Sequence, residues 1–172
     1  QVTVADGNVT SIANYAQDVA YASSALQQFV DALQKIPRRT LVVFWGDHLP
    51  GIYSDEIQQA NAGTQLHETE FLMVDSQEKY QDTTNDHVTS PFYFGPTLMA
   101  QAQQPVSGFY QMLLNLQTIL PAFETGMYLT DSWQKTLSLK GTDQKLYDDY
   151  QMIQYDVLAG KRYSLSTDFY QQ

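Results

Sequence analysis

Apolar and polar positions alternate along this chain with two distinct periods, and these divide it into helices and strands. From Ser11 to Leu33, the residues Ile12, Tyr15, Val19, Ala22, Leu26, Phe29, Val30 and Leu33 recur at helical spacing, while Gln17, Gln27, Gln28 and Asp31 fall mostly on the other face. Pro37 stops that helix. Thr40-Leu41-Val42-Val43-Phe44-Trp45 is a continuous β-branched and aromatic run, which predicts a strand buried on both faces, as inside a parallel sheet. Gly46 ends it and opens the loop Asp47-His48-Leu49-Pro50-Gly51.

Beyond the loop, Asp55 to Ala62 suits a short helix and Glu70 to Val74 a second strand, ending at Asp75-Ser76. Gln77 to Thr89 is polar and reads as a surface loop. Pro91 to Ala102 and Ser107 to Leu120 form two helical stretches broken by Pro105, and Pro121 to Leu139 has no single period. Thr142 to Leu158 is amphipathic, with a stripe of Leu146, Tyr150, Ile153 and Val157. Thr142 is its expected cap, Gly160 suits its C-terminal end, and Lys161 and Arg162 complement the helix dipole there.

Helix, buried strand and polar loop in that order make the αβ unit of an open α/β sheet, where ligands bind beyond the carboxyl ends of the strands. That placement draws attention to Asp47 and His48. In a loop, adjacent Asp and His side chains can converge on one cation, and an oxygen with an imidazole suits Zn²⁺, Mn²⁺ or a related ion. The plainer alternative makes Asp47 a turn cap and His48 a surface group. His67, with Glu68 and Glu70 beside it, reaches the same crevice if the two strands are parallel neighbours, as a ligand or a substrate contact; otherwise it is a surface residue. His87 reads as solvated, Tyr93 as packing, and Arg38-Arg39 as a solvated face or salt bridge away from the loop.

Composition narrows the function classes. With 172 residues, 43% of them hydrophobic and 16% charged, the chain is globular and long enough for one domain. A formal charge of −10 with nine basic residues excludes a general nucleic-acid binder. An anionic substrate would need a bound cation to reverse the local field. With no cysteine there is no disulfide framework, thiolate site or Cys nucleophile. No glycine-rich phosphate loop and no Gly-x-Ser-x-Gly is present, nor any apolar run of membrane-spanning length. The first residue is Gln1, which reads as a processed chain or a piece of a longer one.

Phe44-Trp45-Gly46-Asp47-His48-Leu49-Pro50 resembles the strand-loop motif of the alkaline phosphatase/sulfatase superfamily, most closely the branch of lipoteichoic acid synthases and related phosphoglycerol transferases. Asn14 to Leu33, His67 to Val74, Ser90 to Leu98 and Tyr150 to Asp156 with Gly160 and Tyr163 resemble other segments of that branch in order. Glu70 departs from it, standing where many relatives have Pro.

The resemblance implies an α/β fold, the C-terminal portion of an alkaline phosphatase/sulfatase-like sheet flanked by helices, with residues 1–172 forming a single domain that is a fragment of the catalytic domain. It implies that Asp47 and His48 ligate a divalent metal, Mn²⁺ or Mg²⁺ with Zn²⁺ as an option, and that His67 lies on the substrate side. The Thr nucleophile and a further acidic ligand are expected upstream, so this chain alone is expected to be inactive. The implied substrates are glycerophospholipid or polyglycerophosphate, and the implied partner is the upstream part of its own domain. The implied location is the extracellular face of a bacterial membrane, anchored by segments of the parent. A sulfatase, a phosphoethanolamine transferase or a non-catalytic binding module keeping the fold are the alternatives.

Overall fold

A computed structural model of the chain describes residues 9–61, 63–77 and 88–171. His87 and most of the polar stretch from Gln77 to Thr89 lie outside them. The chain divides into two compact units, residues 1–83 and 84–172.

The first unit opens with α1 (Val9–Leu33), then β1 (Leu41–Trp45), α2 (Asp55–Ala60), a 3-10 turn (Thr64–His67) and β2 (Phe71–Asp75). α1 has the expected period, but its apolar stripe is only partly covered. Leu33 is buried, whereas Tyr15, Val19 and Phe29 keep 41%, 44% and 50% of their surface. Periodicity specifies a face and not what packs on it. Ser54 caps α2, its hydroxyl accepting from the Ile57 amide, with Asp55 and Glu56 in the first turn where the dipole favours them.

The expectation of a parallel sheet is corrected here. β1 and β2 pair antiparallel, with Leu41 opposite Asp75 and Trp45 opposite Phe71. Nor is β1 buried on both faces, since Phe44 and Trp45 remain 45% and 46% exposed. A continuous apolar run marks a strand without stating its partner's direction, which the intervening chain decides.

The second unit contains a 3-10 turn (Pro91–Tyr93), α3 (Phe94–Gln101), α4 (Gly108–Ile119), β3 (Ala122–Glu124), β4 (Met127–Leu129), β5 (Lys135–Thr136) and α5 (Gly141–Leu158). Two further 3-10 turns, Tyr163–Ser166 and Asp168–Tyr170, follow α5. Ser107 caps α4 by accepting from the Tyr110 amide. The stretch without a clear period is an antiparallel meander, β3-β4-β5, turned between its first two strands by Gly126 at φ +79°. Strands of two or three residues are too short to display alternation.

The core of this unit gathers Tyr93, Leu113, Leu116, Leu120, Leu139, Tyr147 and Tyr150. Phe92 and Phe123 interleave with its tyrosines, Phe123 meeting Tyr147 edge-on at 5.1 Å between ring centroids. Tyr93 is packing, as expected, and its hydroxyl donates to the Leu120 carbonyl at 2.9 Å. One expectation for α5 changes: its first residue is Gly141, and Thr142 lies inside the helix rather than capping it. Gly160 follows the helix end as expected, its amide donating to the Tyr155 carbonyl where a Cβ would come within 2.7 Å of the Asp156 Cα, and the left-handed residue beyond it is Arg162 (φ 60°).

Candidate functional site

The loop after β1 begins with a residue that leaves little room for a side chain. A Cβ on Gly46 would lie 3.1 Å from Cβ and 3.4 Å from Cγ2 of Thr69. The Gly46 amide donates to the Glu70 carbonyl at 3.1 Å, carrying the antiparallel ladder one residue past Trp45. Its carbonyl in turn accepts from the Thr69 hydroxyl at 2.6 Å. The backbone is therefore held on both sides where Asp47 and His48 emerge.

These two side chains stand together. Nε2 of His48 is 3.6 Å from Oδ2 of Asp47, and both side chains are strongly exposed, at 78% and 83%. The other Asp47 oxygen, Oδ1, accepts from the His48 amide at 3.0 Å. Nδ1 of His48 lies 2.9 Å from the Leu49 carbonyl oxygen. A carbonyl only accepts, so Nδ1 carries the proton in this contact, and the tautomer that matches it presents a lone pair on Nε2. That nitrogen is the one beside the carboxylate. A carbonyl behind the far nitrogen is the usual support of a metal-binding imidazole.

Two ligands at about 2.1 Å from a tetrahedral ion stand about 3.4 Å apart, close to the separation seen here. The pair thus fits two corners of a divalent site. Among the described residues, no group of three or more His, Cys, Asp or Glu side chains is placed to hold a metal ion.

His67 ends the 3-10 turn that leads into β2 and is exposed. The antiparallel pairing corrects the condition under which it was expected near the loop. In a parallel pair, the start of β2 would lie at the start of β1. Here the start of β2 lies beside the end of β1, so His67 approaches from the same end as Asp47 and His48.

Arg39 sits at the other end of the pair, as expected, in a salt bridge. Its guanidinium reaches Asp75, whose side chain is fully buried. Sequence reasoning missed the roles of both Asp75 and Thr69. The strand pattern passes over Asp75, and nothing local marks Thr69 as the neighbour of Gly46.

The perturbed tyrosines of the second unit serve packing, and its perturbed carboxylate serves a turn. Burial, followed by the nearby Tyr150, raises the Tyr93 phenol above its ordinary range. Burial, then Tyr128 and Tyr150, pushes Tyr147 up to about 12. Ser164, through its hydroxyl and amide, holds the Asp156 carboxyl below the usual carboxylate range, with the Tyr163 and Arg162 amides adding to the effect.

Comparison with known proteins converges on one family. The family model described as Sulfatase matches residues 3–104, more than half of the chain. A protein of Rhizobium meliloti (strain 1021) named for cyclic beta-1,2-glucan modification is 25% identical over 92% of this chain and 27% of its own length. The solved structure of Streptococcus pyogenes phosphoglycerol transferase GacH in complex with sn-glycerol-1-phosphate superposes with a TM-score of 0.76 at 21% identity. That match covers 99% of this chain and 41% of GacH, and it shows a shared fold. The chain therefore spans about a quarter of the curated relative and two fifths of the solved one.

Proposed function

Because this chain belongs to the sulfatase family, we propose that it is the C-terminal part of a metal-dependent phosphoglycerol transferase, with Asp47 and His48 supplying part of the metal site. The superfamily's members are generally metal dependent. The observation that carries the reading is the juxtaposition of Nε2 and Oδ2 at 3.6 Å, inside the stretch the family model matches. Mn²⁺ or Mg²⁺ is the expected ion, and Zn²⁺ also suits an imidazole with a carboxylate. When bound, such an ion stabilises negative charge on the nucleophile and the phosphoryl oxygens.

The chemistry has two displacements. A Thr hydroxyl in the upstream part of the domain attacks the phosphorus of a glycerophospholipid. The bond to the lipid oxygen breaks, and diacylglycerol leaves with the proton. Glycerophosphate is then esterified to Thr, and a hydroxyl of the acceptor displaces it and regenerates the Thr. His67 approaches from the substrate side, placed to contact the transferred group. The glycerophosphate bound to GacH supports this donor. The relative named for glucan modification supports a saccharide polymer as the acceptor. The intact protein works at the outer face of a bacterial membrane, and the present chain does not turn over substrate alone. Among the described residues, no helix is long and apolar enough to cross a membrane.

Calorimetric titration of the chain with Mn²⁺, beside Asp47→Ala/His48→Ala, tests the metal reading. Weak binding abolished in the double variant is the expected result; an affinity unchanged by the substitution overturns it. Donor choice is read by offering the intact enzyme a glycerophospholipid, a sulfate ester and a phosphoethanolamine lipid. Turnover confined to the second or third assigns it to a different branch of the family.

A further inference from the structure

We infer that Thr69 is a positioning residue for the Asp47–His48 pair: its hydroxyl holds the Gly46 carbonyl so that the next two side chains leave the strand side by side. The inference rests on reading that pair as metal ligands. Three observations meet at this residue. The Thr69 hydroxyl donates to the Gly46 carbonyl at 2.6 Å, a short bond across 23 positions of sequence. The side chain closes over Gly46 at the distance where a Cβ would begin to collide. One residue further on, Glu70 accepts from the Gly46 amide, so both polar groups of Gly46 are tied to the segment entering β2.

The consequence follows from covalent geometry. The Gly46 carbonyl belongs to the peptide plane that also contains the Asp47 amide, so fixing its direction fixes the plane from which Asp47 departs. The Asp47 carboxylate then accepts from the His48 amide, and the His48 ring from its far side meets the Leu49 carbonyl. Each link orients the next, beginning at Thr69. Both pair members are strongly exposed, so packing contributes little to holding their rotamers and the backbone must do it. Without the hydroxyl, the Gly46 peptide gains freedom, and the two ligand atoms spend less time within reach of one ion. Outer groups of this kind typically change metal affinity by about 10- to 100-fold.

The test compares Thr69→Val, which keeps the shape and loses the hydroxyl, with Thr69→Ser, which keeps the hydroxyl, in the full chain. Two readouts are taken: Mn²⁺ affinity by calorimetry, and the ¹⁵N shifts of the His48 ring at a fixed pH where it is neutral. In Thr69→Val we expect Mn²⁺ affinity to fall about 10-fold or more and the ring to lose its bias toward the Nδ1–H form. Thr69→Ser should restore both toward wild type. If the wild-type chain binds no Mn²⁺ while the ring shifts still separate Val from Ser, the metal reading fails and the positioning role stands. Ring shifts unchanged in Thr69→Val, or lost equally in Thr69→Ser, overturn the inference. Thermal unfolding of both variants separates positioning from general loss of structure: Thr69→Val should melt lower than wild type, because the part-buried Gly46 carbonyl loses its partner, but still in one cooperative transition.

Discussion

Arg39 donates to a single carboxylate oxygen of Asp75 twice, from Nε at 2.8 Å and from Nη2 at 2.5 Å, at the end of the β1–β2 pair remote from the Asp47–His48 loop. The other Asp75 oxygen accepts from the Gln77 amide at 3.0 Å. Asp75 has no exposed side-chain surface, while Arg39 keeps 28% of its own. Thr40 and Ser76 close the same end through reciprocal bonds, the Thr40 amide donating to the Ser76 hydroxyl and the Ser76 amide to the Thr40 carbonyl. The strand pair is therefore fastened by charge at one end and by Thr69 at the other.

Removing one partner of a buried pair leaves the other charge without compensation. Arg39→Ala should destabilise the chain by about 2 kcal/mol, below the range for fully buried pairs because the guanidinium is partly solvated. Arg39→Met/Asp75→Leu should recover much of that loss, since no buried charge remains. Urea unfolding of the three proteins decides. A double variant as unstable as Arg39→Ala would mean that the pair itself, rather than the orphaned carboxylate, sets the cost.

Gly46→Ala pushes a methyl group to 3.1 Å from the Thr69 Cβ. We expect a loss of about 1 kcal/mol together with weaker Mn²⁺ binding, since relief requires moving the residue that holds the loop. Gly51 has nothing within 4 Å of a built Cβ, so Gly51→Ala provides the control. Equal effects of the two substitutions would show that the close approach at Gly46 has no consequence.

The tyrosine cluster gives stability a dependence on alkaline pH. Tyr93, Tyr147 and Tyr150 all have raised values, against an ordinary 10.0, with burial the first cause in each. Above about pH 10 the phenols of the unfolded chain lose protons while the folded ones keep theirs. The unfolded state then binds fewer protons, and stability falls as pH rises. It should be fully present below pH 10 and decline toward pH 12, where Tyr147 titrates. Tyr147→Phe should flatten that decline in unfolding curves collected from pH 8 to 12; a slope identical to wild type would remove Tyr147 from the account.

Asp156 ties the turn after α5 to the helix. Its carboxylate accepts from the Tyr163 amide at 3.0 Å, and from the Ser164 amide and hydroxyl at 2.8 and 2.6 Å. Its value is lowered, so this support is present above the ordinary carboxylate range and fades as pH falls through the depressed value. Asp156→Ala should speed amide exchange at Tyr163 and Ser164 while leaving the middle of α5 protected. Unchanged exchange at those two amides would contradict the tether.

Phe44, Trp45, Phe71 and Leu72 remain 45%, 46%, 37% and 42% exposed on a sheet that has only two strands among the described residues. Apolar surface of this kind favours association with another copy. Sedimentation velocity should show association that grows with concentration and recedes in Trp45→Lys. A monodisperse monomer at high concentration would argue against it.

What the sequence determined by itself is the set of features encoded within a few residues. Apolar recurrence at helical spacing wrote α1 and α5, a β-branched run wrote β1, and Gly46 marked the end of that strand. Each depends on neighbours close along the chain, where periodicity and residue type act directly. The tertiary structure decided what depends on distant partners. It set the antiparallel direction of β2, and with it the end of the sheet that His67 approaches. It added Tyr147 to the expected Tyr150 as a core residue of α5 and left Tyr15, Val19 and Phe29 of α1 open. Thr69 illustrates the difference most directly. As a residue type it predicts nothing, and only the fold, by laying it across Gly46 from 23 positions away, turns its hydroxyl into the support of the loop. A hydrogen bond between distant residues exists only once the chain entropy of bringing them together has been overcome, and no local pattern records that.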